Sequence, residues 1–137
     1  MPSQYGFLRT HGGITYFARV AVESQLSSTW TVTWNKMIYN DSSHAYNGYY
    51  DSAVETGVAV AVREHEQRGG VPQQVEIVEL LANPVDTPAH AVRCATALAT
   101  WKALGHSESD MYVVFEEEEW RIKFLTSDEI CINERPT

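Results

Sequence analysis

The sequence is poor in lysine and contains no long apolar run. Only three lysines occur among 137 residues, and no basic residue lies between Lys36 and Arg63. Nucleic-acid binding usually needs clustered Lys and Arg side chains that displace counterions from phosphates, so direct nucleic-acid binding is disfavoured. No stretch approaches the ~20 apolar residues of a membrane span, so we expect no membrane partner.

Cysteine is also scarce, and the motifs of common enzymes are missing. Cys94 and Cys131 are too few and too far apart to predict a disulfide framework, so both are expected as reduced thiols. The first five residues have neither the basic start nor the apolar run of a signal peptide, which predicts a cytoplasmic protein. The five histidines lack metal-site spacing, and no nucleophile elbow or phosphate-binding loop occurs. We therefore expect no metal, no cofactor and no catalytic residues.

The acidic excess is concentrated near the end of the sequence. Residues 1–105 carry nine acidic and seven basic residues, a net charge of −2, whereas residues 106–137 carry nine acidic and three basic residues, a net charge of −6. Four consecutive glutamates, Glu116–Glu119, lie in this part. Such a charge run is usually a solvated surface, but it also leaves open a metal or ligand site in which Glu116 and Glu118 act as ligands or bases.

Alternating apolar residues predict three strands before the acidic part. Apolar side chains recur at every second position over 14–23 and again over 29–34, which predicts two strands, the second antiparallel to the first. A third strand is predicted over 71–82, with Val75 and Ile77 on one face and Val78 and Leu80 on the other. Two further strands are predicted over 111–115 and 120–125.

Two helices are predicted between these strands. The pattern from Ser52 to Glu55 is typical of a capping box, and the helix is expected to end at Arg68, before two glycines. The second helix is expected to begin with Thr87 as N-cap and Pro88 as the first helical residue, and to end at Gly105. The apolar stripe predicted for the first helix consists of Val54, Gly57, Val58, Ala61 and His65.

The order of these motifs resembles domain IV of elongation factor G, the ribosomal translocase. Residues 12–23 resemble the opening strand of that domain, residues 53–58 its first helix, and Val85-Asp86-Thr87 the start of its second helix. The resemblance covers residues 10–105 of one domain that spans 1–137, with an acidic β extension and tail over 106–137. It implies an α+β fold like that of ribosomal protein S5 domain 2. This fold has a mainly antiparallel sheet of four or five strands and two helices on one face.

The same resemblance suggests where a binding site would lie. In the translocase, two loops at the tip of this domain enter the decoding centre, and they correspond here to residues 38–50 and 82–87. The segments expected to bind a partner are 39–50 and 82–87. Asn83 occupies the position of the family's tip histidine, and Pro84 that of an acidic residue, so the family's tip chemistry does not carry over. The candidate binding residues in the two segments are Tyr39, His44, Tyr46, Asn47, Tyr49, Tyr50, Asn83 and Asp86.

Three functions remain open at this point. The first is a non-catalytic binding module whose tyrosines contact a protein or ribosomal partner, although two or three of them could instead cover the end of the sheet. The second is a small enzyme or ligand-binding protein that uses the acidic segment 116–119. The third is a structural subunit that hides an apolar sheet face or an edge strand in a homodimer.

Overall fold

The computed structural model describes residues 3–34, 39–41, 50–82 and 88–125. Two helices pack on a mixed sheet, and a separate two-stranded hairpin follows, which confirms the predicted α+β class. A short 3-10 helix, Glu108–Asp110, precedes the hairpin. The strands are β1 (Ser3–His11), β2 (Ile14–Leu26), β3 (Thr31–Trp34), β4 (Tyr39–Asp41), β5 (Gln73–Ala82), β6 (Met111–Glu116) and β7 (Glu119–Phe124), and the helices are α1 (Asp51–Gln67) and α2 (Ala89–Ala103).

The main sheet has the order β1-β2-β5-β3, and β4 also pairs with β5. The pairs β1–β2 and β2–β5 are antiparallel, whereas β3 and β4 both run parallel to β5, so the sheet is more evenly mixed than predicted. Strand β1 was not predicted. It joins β2 through a turn at Gly12 and Gly13, both of which have positive φ, a conformation that glycine adopts without strain.

Strand β3 has the predicted direction. It runs antiparallel to β2 in direction, but the two strands are not neighbours, because β5 lies between them. Its residues Thr31–Trp34 pair with Gln74–Ile77, and β4 continues along the same edge of β5. The two short strands thus share one edge in succession.

A β-bulge changes which face of β5 is buried. Ala21 lies opposite Glu79 and Val22 opposite Ile77, so no residue of β2 lies opposite Val78. The extra residue returns Leu80 to the face that holds Ile77, and both are fully buried. The prediction that Leu80 faces away from Ile77 was therefore wrong, because simple alternation cannot account for a bulge.

Helix α1 buries the apolar stripe predicted from the sequence, together with Ala53. Gly57 lies in close contact with α2, where an added Cβ would lie 2.6 Å from the backbone oxygen of Arg93. Gly69 has a positive φ and follows the helix end at Arg68, as predicted. Neither helix is long and apolar enough to cross a membrane.

The predicted helix starts need correction. Tyr50, not Ser52, is the N-cap residue of α1, and none of the described residues caps the helix there with its side chain. Tyr50 is buried, and its carbonyl oxygen accepts from the N–H of Val54 at 3.0 Å, which begins the helix earlier than the capping box implies. In α2, Pro88 is the N-cap, and Thr87 lies outside the described residues.

Candidate binding surface

The two segments predicted to bind a partner are attached to the sheet side by side. In the parallel pair β4–β5, Asp41 is in register with Ala82. Asp41 is the last described residue before segment 42–49, and Ala82 is the last before segment 83–87. Because paired strands lie about 4.8 Å apart, the two segments leave neighbouring points at one end of the sheet, called here the loop end.

Both helices begin where these segments rejoin the described part of the chain. Segment 42–49 is followed by Tyr50 and α1, and segment 83–87 is followed by Pro88 and α2. Buried residues from the first turns of both helices, Val54 and Val92 among them, belong to one core cluster. The four points of attachment are therefore held by strands and helices of a single packed core.

The candidate residues themselves are placed unevenly. Tyr39 belongs to β4, opposite Leu80. Tyr50 is 2% exposed in the core, so its ring packs inside the protein and is not a surface contact. Tyr50 therefore has a structural role, which is the alternative that the sequence left open for some of the tyrosines. The remaining candidates, His44, Tyr46, Asn47, Tyr49, Asn83 and Asp86, lie outside the described residues.

An aromatic cluster that the sequence did not predict lies at the loop end. His11 stacks on Phe115 with ring centroids 3.9 Å apart and an interplanar angle of 22°. The ring of Tyr16 lies 5.9 Å from Phe115 and 5.7 Å from His90. His11 is exposed, and Tyr16 and Phe115 are half-buried. The cluster combines β1, β2, α2 and β6, so no local pattern could reveal it.

Hydrogen bonds fix the hairpin against α2 beneath this cluster. The backbone N–H of Trp120 donates to Nδ1 of His90 at 3.1 Å, so this imidazole nitrogen is an acceptor. Burial lowers the pKa of His90, as does Arg93, against the opposite effect of the Glu119 charge. Arg93 donates to Glu119 at 3.1 Å and to the carbonyl oxygen of Trp120 at 3.0 Å. His90 must be neutral for its Nδ1 to accept the hydrogen bond from Trp120.

The acidic segment 116–119 is largely engaged in ion pairs. Glu116 pairs with Lys123 at 3.3 Å, and Glu117 with Arg121 at 3.4 Å. Glu119 pairs with Arg93, whose hydrogen bond lowers the pKa of the glutamate. Among the residues that the structure describes, no group of three or more His, Cys, Asp or Glu side chains could hold a metal ion. The pairs give the charge run a structural role within the hairpin.

Comparisons with known proteins show similarity of fold only. A protein of Thermus thermophilus with a solved crystal structure is similar with a TM-score of 0.55 and 17% sequence identity. The match covers 74% of this chain and 15% of that one, so the similar region is a small part of the larger protein. No family model and no curated protein matches the sequence.

Proposed function

We propose that this chain is a non-catalytic binding module that resembles domain IV of elongation factor G. In this proposal it acts through segments 39–50 and 82–87 on a protein or ribosomal partner. The binding surface is the loop end, and no GTP hydrolysis is involved, because the sequence lacks a phosphate-binding loop.

The observation that carries the proposal is the register of Asp41 with Ala82. Two segments that are about forty residues apart in sequence leave the sheet next to each other, so one partner can contact both at once. The attachment points belong to one packed core, which holds the points where the two segments begin and end. Loops held in this way carry binding functions more often than strands or helices do.

The composition of the first segment favours a protein surface over a nucleic acid. It offers Tyr46, Tyr49 and His44, and no Lys or Arg occurs from residue 37 to residue 62. Tyrosine provides a large, rigid contact area at low entropic cost, and it is enriched in protein interfaces. A ribosomal contact would therefore involve a ribosomal protein rather than bare RNA.

Ribosome co-sedimentation and pull-down from cell extract test the proposal. The variants Tyr46→Ala and Tyr49→Ala are expected to lose most of the binding of the wild type. Leu26→Ala is the control, because Leu26 is 77% exposed and lies at the opposite end of β2. Binding by both tyrosine variants that equals that of the wild type would remove segment 39–50 from the site.

A structural homo-oligomer is the second candidate, and an exposed leucine favours it. Leu8 on β1 is 61% exposed on the sheet face opposite the helices, where it is paired with Phe17. Strand β1 also forms an edge of the described sheet. The mass measured by light scattering distinguishes the candidates, because a subunit of this kind would be a stable dimer at micromolar concentration.

A further inference from the structure

A groove of about 470 Å³ lies between the edge strand β1 and the first strand of the hairpin. Leu98 of α2, together with Tyr5 and Val113, belongs to the apolar cluster beneath it. The lining residues are Tyr5, Arg9, Leu98, Glu108, Ser109, Met111, Tyr112 and Val113.

The groove runs along the backbone edge of β6. Met111, Tyr112 and Val113 are consecutive, and consecutive side chains of a strand point to opposite faces. All three line the groove, so the groove borders residues of both faces of the strand and the edge between them. Within the described part of the chain β6 pairs only with β7, so alternate N–H and C=O groups of β6 point away from its partner.

A cation lies on the opposite side of the groove. The guanidinium of Arg9 donates to the hydroxyl of Tyr5 at 2.9 Å and to the carbonyl oxygen of Leu8 at 3.1 Å. Both acceptors are neutral, and no carboxylate of the described residues pairs with Arg9, whereas Glu108 across the groove is paired with Lys102 at 3.0 Å. A guanidinium has five N–H donors, so Arg9 retains donors for a carboxylate.

We propose that this groove binds an extended segment of a partner protein, which pairs with the edge of β6 that faces the groove and places an acidic side chain against Arg9. An apolar side chain next to that acidic residue enters the floor between Tyr5 and Val113. The recognition is β-augmentation, in which main-chain hydrogen bonds supply affinity and alternate side chains supply specificity. An added strand also supports the hairpin, because two-stranded sheets are marginally stable.

The test uses short peptides and the amide chemical shifts of the whole chain. A seven-residue amidated peptide of alternating valine and threonine with one central glutamate is titrated into the ¹⁵N-labelled protein. Shifts are expected for residues 5–9 and 111–113. A matched peptide with glutamine in place of glutamate is expected to bind about tenfold more weakly, because it cannot form the charge-assisted hydrogen bonds.

Protein variants then identify the cation. Arg9→Gln should bind both peptides equally, Arg9→Lys should retain part of the preference, and Arg121→Gln, which changes an arginine outside the groove, should retain all of it. A glutamine peptide with a free C-terminal carboxylate should not recover the affinity. Equal binding of both peptides to the wild type, or shifts outside the groove, would overturn the proposal. Shifts of residues 111–113 that depend on protein concentration alone would do the same, since they would identify a second copy as the occupant.

Discussion

The imidazole rings of His65 and His106 are joined by a hydrogen bond of 2.7 Å between Nδ1 of His65 and Nε2 of His106. Nε2 of His65 lies 3.0 Å from the carbonyl oxygen of Val71, which can only accept, so this nitrogen carries the proton. Nδ1 of His65 therefore accepts from His106. Trp101 stacks on His106 with ring centroids 3.7 Å apart. The hydrogen bond between His65 and His106 connects the end of α1 to the residues that precede the hairpin.

This pair predicts a loss of stability in mild acid. Burial lowers the pKa of His106, and the neighbouring His65 and Arg68 lower it further, whereas Asp110 raises it. His106 therefore binds a proton less readily in the folded state than in the unfolded state. Its neutral form contributes to the free energy of unfolding above a pH of about 6.5, and this contribution is lost as the pH falls through the lowered pKa of the folded state. The free energy of unfolding measured with urea should fall between pH 7.5 and 5.5.

Two histidine variants separate this pair from other titrating groups. His106→Gln removes titration while its amide can still donate to His65, so the decrease in stability between pH 7.5 and 5.5 should become smaller. His11→Gln is the control, because His11 is exposed and stacks on Phe115. An unchanged pH dependence in His106→Gln would exclude His106 as its source.

The close contact of the two helices predicts that Gly57→Ala destabilises the protein. Its Cβ would lie 2.6 Å from the backbone oxygen of Arg93 and 2.8 Å from Cβ of Thr96, so the helices would have to move apart. Overpacking of this kind costs up to about 3 kcal/mol and exceeds the helix-propensity gain of about 1 kcal/mol, leaving an expected loss of about 2 kcal/mol. Chemical denaturation measures the change. Ala59→Gly, at an exposed position of the same helix, should lose only about 1 kcal/mol, and a Gly57→Ala variant more stable than the wild type would contradict the packing.

The hairpin turn predicts a stabilising double substitution. Glu116 and Glu119 are paired, so Glu117 and Glu118 form a two-residue turn, and both have positive φ, 52° and 66°. Asn-Gly is favoured in such a turn because both residues tolerate this conformation. Glu117→Asn combined with Glu118→Gly should raise the free energy of unfolding by about 1 kcal/mol.

A charge control accompanies this experiment. Glu117→Gln with Glu118→Gln removes the same two charges but keeps the strained backbone, and the lost pair between Glu117 and Arg121 is exposed and worth little. The double glutamine variant should stay within about 0.5 kcal/mol of the wild type. Equal stabilisation in both double variants would assign the effect to charge.

The buried thiol of Cys94 should not react in the folded protein. Burial raises its pKa to about 12, so almost no thiolate is present at neutral pH. In a Cys131→Ser background, a colorimetric thiol reagent at pH 8 should react with Cys94 only as fast as the protein unfolds. Fast reaction in native buffer would contradict the burial of α2 at this position.

The sequence predicts local patterns well and pairings across the fold poorly. The buried stripe of α1, which includes Gly57, could be predicted from the sequence because helical periodicity depends on neighbouring residues only. The strand next to β3 could not be predicted, because β3 pairs in parallel with β5, and the paired residues are about forty positions apart in the sequence. The burial of Tyr50, which begins α1, and the bulge at Val78 also depend on tertiary contacts.

The candidate sites follow the same division. Composition and family resemblance were enough to predict that the tyrosines of segment 39–50 are candidate binding residues. They also identified segment 82–87 as the second candidate. Their adjacency at Asp41 and Ala82 required the strand register. The groove beside Arg9 has no local sequence signal, because it is formed by β1, α2 and β6.

Photo-crosslinking from both segments tests the central claim most directly. A photoreactive amino acid is placed in turn at Asn47, at Asp86 and at Leu26, which lies at the other end of the sheet. If the loop end is one binding surface, positions 47 and 86 will crosslink to the same partner, and position 26 will not. Different partners at positions 47 and 86, or the same yield at position 26, would contradict the account.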